Sequence, residues 1–514
     1  MNIFRASWAR WLPWVSLAAF SALWLAQWPA FPLFLDPYYH LLIARQVVDA
    51  GGPITYEWWE HAPVGRPHLY PPVLHLLLAG LLTLGCSAMT AIRLVSALIM
   101  PAVCTTIYLV MRRLYGPLIA LAALWLAMLP FAWIIEGTGM LASGIALLEL
   151  LWLMAAVATG RTVAAACLLA LLFYTHLGLP WVAVASLVGW MALNAVRDRR
   201  KLLLIAGSGL LLALPWLAHV ASHGTMLHVT RRAENQAFEF LPALYLLAVF
   251  GAWRCWKRAG SFRLLLGLWL GFSLMAVSFT FRWLSGEGVL PVILLAGVGL
   301  GDLAERVARR WSPQRGPWPA LAVLGGLLVI SPSVLVNPTG AQIRWRDTGP
   351  FHLLQAPTAL RKGMEITLHT PQTEQLARLV ARLSQPGEIL WSSLPYAGGL
   401  LAVLAHRPMS GAMFYEAPPA HAFDPIAAAH LIVWWKIDPL PGTPTLAQIR
   451  QRYPLDLVAE DQLAFVFRNP RAGTLAHPPH AILPMGVAFV LLCVVLGFVV
   501  RDFRRPQGRS AWRS

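Results

Sequence analysis

The chain has 514 residues, 58% of them hydrophobic and only 12% charged, about half the charge fraction of an ordinary soluble domain, so a soluble globular protein is excluded. Its formal charge of +17 does not indicate nucleic-acid binding, because the basic residues stand in short clusters between apolar stretches, as the positive-inside rule arranges them. The five cysteines (Cys86, Cys104, Cys167, Cys255, Cys493) lie in or beside apolar segments with no CxxC or Cys/His spacing, which argues against a disulfide framework and a structural zinc.

Repeated apolar stretches of about 18 to 22 residues can each cross a hydrocarbon layer of roughly 30 Å, and helices satisfy their own backbone there. The predicted fold class is mainly α: a polytopic transmembrane bundle of about 12 spans plus an interfacial helix, with a C-terminal extracytoplasmic α/β domain. Spans are expected near 11–30, 91–111, 117–135, 140–158, 162–176, 180–196, 202–220, 239–254, 263–281, 287–302, 318–336 and 482–500. Arg5 and Arg10 precede the first, but no small-residue cleavage site follows, so it reads as a retained span. The stretch Tyr70 to Gly85 opens with Pro71 and Pro72 and is short; it is expected to lie on the outer face as an interfacial helix.

Arginine and lysine set the orientation. With the N-terminus in the cytoplasm, the inner side receives Arg5, Arg10, Arg112, Arg113, Arg161, Arg197, Arg199, Arg200, Lys201, Arg254, Lys257, Arg258, Arg306, Arg309, Arg310, Arg315, Arg501, Arg504 and Arg505. The short outer loops keep Arg45, Arg66, Arg231, Arg232 and Arg282. An integral protein of a bacterial or archaeal plasma membrane is expected, with both termini cytoplasmic.

The expected division is a transmembrane bundle over 1–336 with a first external loop over 31–90, an extracytoplasmic domain over 337–480, and a last helix with a basic cytoplasmic tail over 481–514. Within 337–480, helical patterns at Thr373–Leu383, Tyr396–Ala405 and Leu446–Arg450 alternate with strand-like Glu388–Trp391, His430–Trp435 and Leu463–Phe467, the pattern of a small α/β domain.

The first outer loop holds Leu35-Asp36-Pro37-Tyr38-Tyr39-His40, then Trp58-Trp59-Glu60, then Pro63-Val64-Gly65-Arg66-Pro67-His68-Leu69-Tyr70-Pro71. By position alone Asp36 reads as a helix-end carboxylate. It is also placed to meet a lipid-borne substrate as a general base or metal ligand. The spacing of Asp-Pro-aromatic-aromatic, the aromatic and acidic cluster, and Pro-x-Gly-Arg through Tyr-Pro resembles the first external loop of the oligosaccharyltransferase catalytic subunit, a GT-C membrane glycosyltransferase. The resemblance is specific over roughly 10–140 and weaker beyond.

It implies an inverting transfer of a sugar from a polyprenyl-phosphate or -diphosphate donor to a protein, lipid or polysaccharide acceptor on the external face, with Asp36 as the catalytic-site acid. It further implies a second acidic motif, matched here by Glu136-Gly137-Thr138-Gly139 with one acid instead of two. Asp36 and Glu136, with Glu234 from the loop His223–Glu239, are the ligands it implies for a divalent cation, Mg or Mn. Arg282, in Phe281-Arg282-Trp283, matches the family's phosphate-clamp arginine; a lone arginine there is also one that snorkels to the interface. Arg66 and His40 are further candidates for the donor phosphate, and His68 and His176 map to the same face. Membrane lipids are expected partners; nucleic acid is not.

Two departures stand out. The acceptor motif Trp-Trp-Asp is not matched at Trp391-Ser392-Ser393, and Trp434-Trp435-Lys436-Ile437-Asp438 stands at the end of a different strand. Glu149 falls mid-span, where an acid is expensive and usually functional or paired; Arg93 is a conceivable partner but lies nearer the outer surface, and Glu149, too deep for the reaction, is expected to make a buried polar contact. A lipid or glycan transporter is the competing function. It would call for inverted repeats and charges near the bilayer midplane, whereas the sequence has no repeat and places most charges at the surfaces.

Overall fold

Each of the twelve apolar stretches contains a helix in the computed structural model, which describes residues 3–32, 35–137, 141–193, 199–226, 237–258, 260–278, 280–311, 316–354, 369–413, 417–437, 444–473, 475–477 and 480–504. α1 (Ile3–Leu25) leads to α2 (Asp36–Ala50) and α3 (Val73–Thr83), which are joined by a loop carrying the short pair β1 (Tyr56–Glu57) and β2 (Arg66–Pro67). The bundle continues through α4 (Ala88–Tyr115), α5 (Pro117–Ala127), α6 (Leu141–Ala158), α7 (Thr162–Thr175), α8 (Leu179–Leu193) and α9 (Arg199–Ser222). After β3 (Phe238–Phe240) come α10 (Pro242–Trp256), α11 (Ser261–Ser273), the short turns α12 (Met275–Ser278) and α13 (Thr280–Leu284), then α14 (Val289–Trp311) and α15 (Trp318–Val329). Among the described residues five helices are long and apolar enough to cross a membrane: Ala88–Tyr115, Leu141–Ala158, Arg199–Ser222, Arg282–Trp311 and Met485–Arg504.

Local chemistry sets the boundaries. Ser87 caps α4 by accepting the Thr90 amide at 3.2 Å, and Arg112 and Arg113 occupy its last turn, where the helix dipole favours cations. Gly116 at φ +93° stops α4, and Pro117 starts α5. α10 and α14 pack closely because glycines line their seam: a Cβ on Gly251 would lie 1.8 Å from the Leu295 carbonyl oxygen. At the end of this pair read as cytoplasmic, Asp302 of α14 binds Arg254, and Arg258 at 2.9 Å.

The C-terminal region builds the expected alternation. Strands β6 (Leu390–Ser392), β7 (Leu431–Trp435), β8 (Asp456–Glu460) and β9 (Ala464–Arg468) form one sheet in the order β6-β7-β9-β8, with β6 and β7 parallel and the rest antiparallel. Strand side chains alternate between faces. Leu431, Val433 and Trp435 therefore pack with Leu376 and Leu401 on one side, while Ile432 and Trp434 pack with Ile426 and Ile449 on the other. The first layer comes from helices at Pro371–Leu383 and Pro395–Ala405, the second from Pro425–Ala428 and Leu446–Arg452. β4 (Ser333–Asn337) pairs with both β3 and β5 (Gly340–Arg344), so the boundary expected at 337 falls inside a strand. The last helix, Met485–Arg504, follows; its start is tied to the first loop by the Met485 amide on the Gly51 carbonyl oxygen at 2.9 Å.

Candidate active site

The loop between α2 and α3 is folded inward, and the reason is a buried carboxylate. Glu57 Oε1 receives the Tyr39 hydroxyl at 2.9 Å and meets His68 Nδ1 at 2.6 Å, while its Oε2 receives Arg66 Nε at 2.8 Å. Arg66 also binds Glu60 and donates to the Ala417 carbonyl oxygen at 2.6 Å. Glu60 Oε1 accepts the Met413 amide at 2.5 Å. Burial would raise the Glu57 carboxyl, but the Arg66 charge and the His68 and Arg66 hydrogen bonds hold it down at about 2. Arg66, expected to face a donor phosphate, is instead the centre of a buried ion-pair cluster; desolvation works against its charge, and Glu57 and Glu60 outweigh that.

Around this cluster lies a shell of histidines. His40 Nδ1 and His75 Nε2 are 2.9 Å apart, the His68 and His75 rings 5.1 Å apart, and the His219 ring nitrogen bonds the His68 carbonyl oxygen at 2.9 Å. His40 is held neutral, its pKa pushed down to about 3 by burial and then by the charges of His176 and His68. His40 is thus not exposed to a phosphate in this conformation; it is the inner wall of the site.

His176 begins a second group. Its Nδ1 accepts the Gly178 and Leu179 amides at 3.0 and 3.1 Å, which assigns the ring proton to Nε2, 3.1 Å from Ser143 Oγ. Ser143 donates to Glu287 Oε1 at 2.6 Å, and Arg282 Nη1 lies 3.4 Å from the same oxygen. Arg282 therefore sits in α13, just before α14, against Glu287.

Asp36 stands in the first turn of α2 with Pro37 behind it, exposed, and one helical turn before His40. His176 is thus joined through Ser143 and Glu287 to Arg282. Glu136 lies in the π-helical turn Trp133–Gly137, its side chain outside the described residues; Glu234 is outside them altogether. Among the described residues no group of three His, Cys, Asp or Glu is placed to hold a metal ion. Of the three ligands the resemblance implies for Mg or Mn, only the side chain of Asp36 is among the described residues.

Sequence reasoning singled out Glu60 within the first loop but missed Glu57, His75, Ser143 and Glu287. It also missed the Glu239–Asp347 pair. The Glu239 carboxyl is raised to about 7 by burial and by Asp347, while a His352 hydrogen bond helps hold Asp347 down at about 2 against burial. Glu149 does not pair with Arg93: its Oε1 accepts the Thr175 hydroxyl at 2.8 Å. The two tryptophan motifs meet on neighbouring strands, Trp391 and Trp434 stacking at 6.4 Å, and Trp435 Nε1 donates to Ser392 Oγ at 2.9 Å.

No family model and no curated protein matches the sequence. Solved structures do match its fold. ArnT from Cupriavidus metallidurans in the apo state aligns with 90% of this chain and 99% of its own, at 15% identity and a TM-score of 0.58. The same protein bound to undecaprenyl phosphate aligns with 91% of this chain and 99% of its own, at 15% identity and 0.52. The archaeal oligosaccharyltransferase AglB from Archaeoglobus fulgidus, in complex with an inhibitory peptide and a dolichol-phosphate, aligns with 83% of this chain and 69% of its own, at 12% identity and 0.54. With its long apolar helices, the chain is an integral membrane protein that has the fold of the GT-C membrane glycosyltransferases.

Proposed function

We propose that the protein is a membrane glycosyltransferase that moves a sugar from a polyprenyl-phosphate or -diphosphate carrier to an acceptor at the outer face. The observation that supports this reading is the placement of Asp36: an exposed carboxylate at the start of α2, one turn before the buried His40. The acceptor hydroxyl or amide attacks the anomeric carbon from the side opposite the phosphate. Its proton passes to the Asp36 carboxylate, and the C1–O bond to phosphate breaks with its electron pair going to the phosphate oxygen. Negative charge then grows on the leaving group, where a fixed guanidinium stabilises it. Glu287 keeps Arg282 from swinging freely, so little reorganisation accompanies the reaction. The complexes of ArnT with undecaprenyl phosphate and of AglB with a dolichol-phosphate support a lipid-linked donor.

The test incubates membranes carrying the full-length protein with labelled polyprenyl-linked sugars. Asp36→Asn keeps the shape and removes the base, and turnover is expected to fall about 10²- to 10⁴-fold. Equal release of carrier phosphate by wild type and variant would remove Asp36 from the chemistry.

A further inference from the structure

Half of the Glu149 carboxyl is unmet. Oε1 accepts the Thr175 hydroxyl at 2.8 Å, while Oε2 is buried with no hydrogen-bond partner among the described residues. The residue is 7% exposed and stands in the middle of α6. Buried polar atoms are nearly always bonded, and an ionisable group at this depth of a span is by default a site for a partner of complementary chemistry.

Glu149 lines a cavity of about 530 Å³ between α6, α7 and the last helix, a size that takes a small organic ligand. Leu148 and Leu171 supply apolar wall. The last helix turns one stripe toward the space, Leu492, Leu496, Val499 and Phe503, at the three- and four-residue spacing of a single helix face. That helix is held near both ends and bridges the cavity between them. Phe489 lies against Gly80 of α3, where a Cβ would come 2.6 Å from the ring. Asp502 accepts the Ala164 amide at 3.1 Å on Oδ2, and its carbonyl oxygen accepts from Arg161. Trp152, one turn beyond Glu149 on α6, lines the same cavity, with its ring at 75° to the Phe503 ring and 5.5 Å from it. Arg504, exposed at the end of the last helix, is the other charged residue of the lining.

A plain hydrocarbon chain would satisfy the walls and leave Oε2 unmet. An anion would face the carboxyl. An organic cation with an N–H and an apolar body matches all three features: the carboxyl oxygen lacking a donor, the indole one turn away, and the apolar stripe. We propose that this cavity binds a lipophilic ammonium compound, its N–H on Glu149 Oε2 beside Trp152 and its apolar body along the stripe from Leu492 to Phe503. From Ser143 to Glu149 the helix rises about 9 Å, so this site is separate from the outer-face group around Arg282 and stands whether or not the chain transfers sugars.

Purified full-length protein in a non-ionic detergent is dialysed to equilibrium against radiolabelled dodecylammonium, dodecanol or dodecanoate, which share one tail and differ in the head. Wild type is expected to bind the ammonium most tightly. E149Q keeps the shape of the side chain and weakens the ammonium by roughly 10- to 100-fold, the loss of one charge-assisted hydrogen bond, with the alcohol unchanged. W152L weakens the ammonium several-fold. L496W fills the cavity from the last helix without touching Glu149 and is expected to abolish binding, which keeps the test open if E149Q does not fold. Equal binding of the three heads by wild type means that the cavity takes a chain alone and overturns the proposal. Tighter binding of dodecanoate makes Arg504 the anchor and overturns it as well. Wild-type affinity for the ammonium in a folded E149Q or in L496W places the bound compound elsewhere and overturns the site.

Discussion

Arg66 Nε and Glu57 Oε2 meet at 2.8 Å with side-chain exposures of 0% and 1%, so the loop between α2 and α3 is closed over an ion pair that water does not reach. Removing one partner leaves the other charged and buried, a cost of about 3–5 kcal/mol. Arg66→Ala is therefore expected to lower the thermal unfolding midpoint sharply in detergent, and activity should fall in parallel with folded protein. A variant that unfolds like wild type yet is inactive would restore Arg66 to the chemistry.

The pH dependence of stability has two opposing parts. Glu57 is depressed from 4.5 to about 2 in the fold, so its contribution is complete above 4.5 and is lost as pH falls from there through about 2. Glu239 is raised from 4.5 to about 7, so the folded state holds its proton longer and stability declines as pH rises from 4.5 to 7. Glu239→Gln should flatten the unfolding midpoint between pH 4.5 and 7, and Glu57→Gln should flatten it below 4.5. Unchanged slopes in melting curves across pH 3 to 8 would refute both assignments.

Gly251 and Gly299 let α10 and α14 touch, and no side chain fits between Gly251 and the Leu295 carbonyl. Gly251→Ala is expected to destabilise by about 1–3 kcal/mol through overpacking. Gly326, whose Cβ would meet open space, is the control: Gly326→Ala should unfold at or slightly above the wild-type midpoint.

Glu287 receives both the Ser143 hydroxyl and the Arg282 guanidinium. Glu287→Gln keeps a hydrogen-bond acceptor but removes the charge that orients Arg282. A roughly tenfold fall in kcat/KM, the size of one charge-assisted hydrogen bond, is expected with little change in unfolding. Kinetics equal to wild type would show that Arg282 needs no such partner.

Much of this architecture was legible in the residues themselves. Hydropathy runs located every long helix from Ala88–Tyr115 to Met485–Arg504, and period-two and helical patterns located β6, β7 and β9, because both signals are local to a segment. The helix α2 that begins at Asp36 went unread within the first external loop, although Pro37 stands at its first turn. The partners were not legible. Ser143 reaches Glu287 across 144 positions, Arg93 reaches His369 across 276, and Trp391 stacks on Trp434 only because β6 and β7 are neighbours. Which polar groups share a buried space depends on how helices are rotated and packed, and that is set by side-chain volumes from many segments at once. The sequence by itself determined a many-helix membrane protein with an acid at one mouth. Tertiary packing alone decided that Arg66 is spent within the fold and that Arg282 is held by Glu287.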